Sequence, residues 1–156
     1  MKAAVIVAST SGYKGEKEDK SGPAVARMLK QVGFEVNFLK VLPDDRLILA
    51  EVMKKLADHG LADLIVTTGG SGIAKDDCTP DASLDIIEKE IPGIPEAMRA
   101  YSMRFTKRAM LSRSVAGIRG NTMIVNLPGS PKEAKECLEF VLPELVCGVE
   151  TLTEGV

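Results

Sequence analysis

Tryptophan is absent from this 156-residue sequence, histidine occurs once, and aromatic residues make up only 4%. Stacking platforms for single-stranded nucleic acid need more rings than that. A formal net charge of −2 lacks the basic excess of a dedicated nucleic-acid binder. A Ser–His–Asp triad or a histidine metal site would have to use His59 alone, at the predicted end of a helix, where a surface role is the simpler reading. The three cysteines, Cys78, Cys137 and Cys147, are odd in number and none forms a CxxC pair. Neither a disulfide framework nor a zinc site is implied, and reduced thiols in a cytoplasmic protein are the simpler reading. No apolar run approaches the ~20 residues that span a bilayer. The apolar start from Met1 to Ser11 is too short for a signal peptide and reads as a buried first strand.

What is present is the balance of an ordinary globular protein, 45% hydrophobic and 27% charged, with one domain expected over 1–156. Ala3–Ala8 is a short continuous apolar run, the pattern of a parallel strand covered on both faces. Ser9–Ser21 reads as a polar loop. A helix is expected from Gly22-Pro23 to Val32, stopped by Gly33. Phe34, Val36 and Phe38 alternate as in a strand. Leu49, Val52, Met53 and Leu56 form a helical stripe within Arg46–His59. Asp63–Thr68 is a third strand, and Thr79 is expected to cap a helix that has Pro80 at its first position and runs to Glu90. A further helix is predicted from Pro95 to Phe105. Strands over Ser114–Ile118 and Thr122–Asn126 flank Arg119-Gly120-Asn121. Ser130 to Glu133 is a capping box opening a helix to Leu152, with a kink expected at Pro143. The methionines read as core filler. Alternating strands and helices predict an α/β fold, with helices on both faces of a mostly parallel sheet.

Ligands in such sheets bind beyond the C-terminal strand ends. That singles out the loops Ser9–Ser21, Pro43–Asp45, Gly69–Cys78 and Leu127–Ser130. Thr68-Gly69-Gly70-Ser71-Gly72 leaves a buried strand and precedes a helix, so its backbone N–H groups can cradle phosphate oxygens. A tight strand-to-helix turn would look the same. Asp44-Asp45 and Asp76-Asp77 follow strand ends and can converge on Mg²⁺, although each acid has a structural alternative as a helix cap or a solvated loop charge. The helix start at Pro128-Gly129-Ser130 offers free N–H groups to an anion, a role compatible with Ser130 as N-cap.

Thr67-Thr68-Gly69-Gly70-Ser71-Gly72, followed by Asp77-Cys78-Thr79-Pro80-Asp81-Ala82, resembles the TTGGTGxxxxDxTPEA signature of the molybdopterin adenylyltransferase family, which includes the gephyrin G domain. Met110 to Ser114, Ala116 to Gly120, Asn126 to Pro131, Asp19 to Pro23 and Leu42-Pro43-Asp44 are similar to that family as well, in order along nearly the whole chain. Ser71 keeps the hydroxyl of the usual threonine. Lys75-Asp76 stands where the family often has Pro-Arg, so a point charge replaces a fork.

The resemblance implies a three-layer αβα fold of the molybdopterin-binding type, a homotrimer, ATP and molybdopterin as substrates, and Mg²⁺ as cofactor. Other molybdenum cofactor assembly proteins are implied as partners. By matching position, Asp44 and Asp77 are the functional aspartates and metal ligands. Ser112 and Asn126 are pocket-lining polar residues, and Gly69–Gly72 and Pro128–Ser130 hold the pterin phosphate and nucleotide. The expected reaction is Mg-ATP-dependent adenylylation of molybdopterin, with release of pyrophosphate. A molybdopterin-binding module without catalysis is the main alternative, and a nucleotide hydrolase on the same fold is a third.

Overall fold

The computed structural model describes residues 1–155. Seven continuous residues from Lys2 to Ala8 form β1, and six of them are buried. The chain then makes one helical turn, α1 (Thr10–Tyr13), followed by α2 (Ser21–Gln31), β2 (Glu35–Leu42), α3 (Arg46–Asp58), β3 (Leu64–Thr68), α4 (Thr79–Ile86), β4 (Lys89–Glu90) and α5 (Gly93–Ser102). A 3₁₀ turn over Lys107–Leu111 leads to β5 (Ala116–Arg119), β6 (Thr122–Leu127) and the long α6 (Pro131–Glu154).

The six strands form one sheet in the order β2-β1-β3-β6-β5-β4. The first four run parallel, and β5 and β4 are added antiparallel at one edge. β3 and β6 are buried at every position, which is why they read as apolar runs without alternation. Side chains on alternate positions feed two cores. Val5, Leu64, Val66 and Val125 pack with Val25 and Leu29 of α2 and Leu138 and Leu145 of α6. Ala4, Ile6, Ile65 and Ile124 face the other way, onto Leu49 and Met53 of α3 and Ala82 and Ile86 of α4. The result is a three-layer αβα arrangement.

Several local expectations need correction. The polar loop after β1 contains α1, whose N-cap Ser9 accepts from the Gly12 amide. Thr79 is inside α4 rather than its cap, and Cys78 stands at the cap position without a side-chain bond. α4 ends at Ile86 instead of Glu90, because Ile87 is extended and the Glu88 amide donates to the Ile118 carbonyl. Sheet pairing therefore claims a segment whose local sequence continues a helix. α5 begins at Gly93 and stops at Ser102. α6 is helical through Pro143.

Candidate functional site

Parallel pairing brings the C-terminal ends of β1, β2, β3 and β6 to one edge of the sheet, and the loops that follow them build the site. Thr68 Oγ1 donates to the Pro128 carbonyl at 2.6 Å, and the Gly69 amide donates to the Leu127 carbonyl at 3.3 Å. Ser21, at the start of α2, donates through its hydroxyl to the Gly129 carbonyl at 2.8 Å. The β3 loop, the β6 loop and the start of α2 are thus bonded to one another. Gly69 and Gly70 have positive φ values of 93° and 67°, and a Cβ on Gly69 would collide with the Ala8 carbonyl. Only glycine meets both demands there.

Two cavities open on this edge. One, of about 660 Å³, is bordered by Thr10, Asp44, Thr68, Gly69 and Ser130, with Lys17 and Lys20 at its rim. The other, of about 490 Å³, is bordered by Ser71, Gly72, Ser112, Ser114 and Pro128, with Arg99 and Arg108 beside them. Gly70, Asp77 and Gly129 line both, so they form the seam between two compartments. A third cavity, about 970 Å³, is an open groove between α2 and α6 that includes none of these residues.

Asp44 is half-buried. Its Oδ2 accepts from the Thr10 amide at 3.0 Å and the Thr10 hydroxyl at 3.1 Å, while Oδ1 accepts no hydrogen bond among the described residues. The capping role falls to its neighbour Asp45, which accepts from the amides of Leu47 and Ile48 at 3.0 Å. Asp77, also half-buried, accepts from the Ala74 amide at 2.9 Å through Oδ2, and its Oδ1 accepts no hydrogen bond among the described residues. Asp76 is exposed. Burial, then the charges of Asp44, Asp81, Asp45 and Asp77, push the Cys78 thiol up, which marks this edge as negative.

Two carboxylates, each with one uncommitted oxygen, fit a hard cation such as Mg²⁺ that keeps several waters and takes further ligands from a substrate phosphate. No group of three or more His, Cys, Asp or Glu side chains suited to a closed metal site occurs among the described residues.

Asn126 is not where the motif suggested. It is fully buried and borders neither cavity. Its Oδ1 accepts from the Val115 amide at 3.2 Å, and its Nδ2 donates to the hydroxyls of Thr67 and Ser83, both at 2.9 Å. A buried amide that satisfies a backbone N–H and two hydroxyls is committed to the protein interior. Lys75 is exposed and lines neither cavity. Ser112, by contrast, lies at the smaller cavity and donates to Ser114 Oγ at 3.1 Å.

Arg113 lies within a recognised motif, yet its role is invisible in sequence. Its Nε donates to the Gly72 carbonyl at 2.8 Å and its Nη2 to the Asp77 carbonyl at 2.9 Å. Its own amide donates to the Ser71 carbonyl at 2.8 Å. One residue therefore ties both ends of the loop that carries Asp77. Thr10 escapes sequence reasoning as well, because nothing local predicts its pairing with Asp44, 34 positions away.

Residues 4–146 match the family described as "Probable molybdopterin binding domain". The molybdopterin adenylyltransferase of Helicobacter pylori is 39% identical over 145 residues, 90% of this chain and 81% of that protein. That of Escherichia coli is 38% identical over 144 residues, 90% of this chain and 73% of that protein. The crystal structure of the molybdopterin biosynthesis enzyme MoaB from Thermus thermophilus superposes with a TM-score of 0.90 at 41% identity, covering 98% of this chain and 96% of that one. On fold, site architecture and sequence together, the chain belongs to the molybdopterin-binding domain family, alongside the molybdopterin adenylyltransferases.

Proposed function

We propose that this protein is a molybdopterin adenylyltransferase of molybdenum cofactor biosynthesis, transferring AMP from Mg-ATP to the terminal phosphate of molybdopterin. The observation that carries this reading is the seam: two adjoining cavities share Gly70, Asp77 and Gly129. A two-substrate transfer needs two compartments whose reacting phosphates meet at one point. Family membership supports the choice of substrates.

In this reaction a phosphate oxygen of molybdopterin attacks the α-phosphorus of ATP. The bond to the bridging oxygen breaks, and its electron pair leaves with pyrophosphate. The nucleophile is already ionised near neutral pH, so no strong general base is required. That agrees with the position of His59, which closes the C-terminal end of α3. Asp45 caps the other end, and the 13 residues between them span about 20 Å at 1.5 Å per residue. Catalysis then rests on alignment and on neutralising phosphate charge.

Glycine-loop amides at Gly70 to Gly72 and the start of α6 at Ser130 hold phosphate oxygens. Lys17 and Lys20 supply counter-charge at the rim. Asp44 and Asp77 would hold Mg²⁺, which when bound would offset charge on the phosphates. The same reading includes a cytoplasmic homotrimer working with other cofactor assembly proteins. No helix among the described residues is long and apolar enough to cross a membrane.

Incubation with molybdopterin and Mg-ATP tests the proposal, with pyrophosphate and adenylylated pterin as readouts. Stoichiometric release that requires the pterin is expected. Pterin binding without release would make the protein a binding module, and release without pterin would make it a nucleotide hydrolase.

A further inference from the structure

Thr79 Oγ1 is the one buried side-chain oxygen or nitrogen without a hydrogen-bond partner among the described residues. A hydroxyl left unpaired in the interior costs stability, and the residue is fully buried. Its backbone is well used, since the Thr79 amide donates to the Gly70 carbonyl at 3.1 Å. The helix offers the hydroxyl nothing. Thr79 is the first residue of α4, so there is no carbonyl one turn earlier in that helix to accept from it, and its helical backbone removes it from the N-cap position.

What lies beside this hydroxyl is the edge that carries the site. A Cβ on Gly70 would run into Thr79 Oγ1, and the same point is 3.2 Å from Asp44 Oδ1. Asp44 Oδ1 is the oxygen that Thr10 leaves free. An unpaired donor and an unpaired acceptor therefore border one spot, kept open because residue 70 has no side chain.

We propose that Thr79 is a positioning residue for Asp44: in the ligand-bound site its hydroxyl donates to Asp44 Oδ1 and fixes the carboxylate toward the cation and phosphates. The inference rests on the reading of Asp44 as a ligand-facing acid. Thr10 then holds one carboxylate oxygen and Thr79 the other, and a carboxylate oxygen has capacity for a second partner beyond the hydroxyl. The hydroxyl gains its partner as the site fills, so the interaction strengthens binding of the cation.

Thr79→Val removes the hydroxyl and keeps the shape, and Thr79→Ser keeps the hydroxyl. The metal-free valine variant is expected to melt at or above the wild-type temperature, since it deletes an unpaired polar group. Its half-saturating Mg²⁺ concentration, from calorimetry with ATP and from turnover, should rise roughly ten-fold or more, the scale of a lost hydrogen bond to a charged group. Serine should restore wild-type Mg²⁺ dependence, and Thr79→Val in an Asp44→Asn background should add little. Unchanged Mg²⁺ dependence in Thr79→Val, or a destabilised valine variant that serine fails to rescue, overturns the proposal. If Asp44→Asn itself leaves Mg²⁺ binding and turnover intact, the reading of Asp44 falls. If Asp44→Asn is inactive while Thr79→Val is normal, only the role of Thr79 falls.

Discussion

Arg113 and Asp81 meet two-to-two, with Nη1 donating to Oδ1 at 3.1 Å and Nη2 to Oδ2 at 3.0 Å. The pair is partly exposed, so its direct contribution to stability is small. Its importance is geometric. The Asp81 carboxylate fixes the plane of the guanidinium, whose Nε and Nη2 also hold the carbonyls of Gly72 and Asp77. A fork with fixed directions does this, and an ammonium does not.

Arg113→Lys should therefore lower kcat by roughly 10- to 100-fold, the scale of a small misplacement of a reacting group. Global stability should fall by only about 1 kcal/mol. Asp81→Asn should follow the same pattern, and the double variant should be little worse than either single one. Steady-state kinetics with parallel thermal melts check this, and additive kinetic losses would separate the two residues.

The acidic pair at the end of β2 divides its labour. Asp45→Ala should cost about 1 kcal/mol as a lost N-cap and leave turnover near wild type. Asp44→Ala should raise the Mg²⁺ requirement or stop turnover. Urea melts and Mg²⁺ titrations of both variants distinguish them, and equal kinetic effects would refute the division.

Asp77→Asn keeps the size of the side chain and removes its charge. Adenylylation should be abolished while the melting temperature and pterin binding persist. Pyrophosphate release and pterin fluorescence titration provide the readouts, and full activity would take Asp77 out of the mechanism.

Asn126→Leu should leave the half-buried Val115 amide unsatisfied and remove both buried bonds from Nδ2. About 2–4 kcal/mol of lost stability is expected, measured by urea denaturation. A stable variant with weakened substrate binding would return Asn126 to the pocket.

Acid sensitivity follows from the arginine-paired carboxyls. Hydrogen bonds from Arg113, Arg119 and Arg46, with their charge, hold Asp81, Asp58 and Asp85 below the usual aspartate value, against a smaller opposing effect of desolvation. A carboxyl with a depressed folded pKa contributes stability that is present above its unfolded pKa of about 3.9 and is lost as pH falls through the folded value. The melting temperature should be insensitive to these groups near neutral pH and decline below about pH 4. Asp81→Asn should flatten that decline, and melts across pH test it.

The layered fold was legible in the chain alone, and the loops after its strands were the expected place of the site. Its apolar run at Ala3–Ala8 has the pattern of a parallel strand buried on both faces, and Asp63–Thr68 and Thr122–Asn126 read as further strands. Proline and glycine at the strand-to-helix junctions mark the loops, because backbone requirements there are local. Tertiary structure alone decided which acid serves which purpose. Asp44 and Asp45 are neighbours in sequence, yet one caps α3 and the other faces Thr10 across 34 positions. Likewise Asn126 turned inward because Val115, Thr67 and Ser83 claim its amide, and Glu88 left the helix because Ile118 offered a carbonyl. Long-range partners settle such choices: a polar side chain in the interior goes where its hydrogen bonds can be met, and spacing along the chain does not encode that.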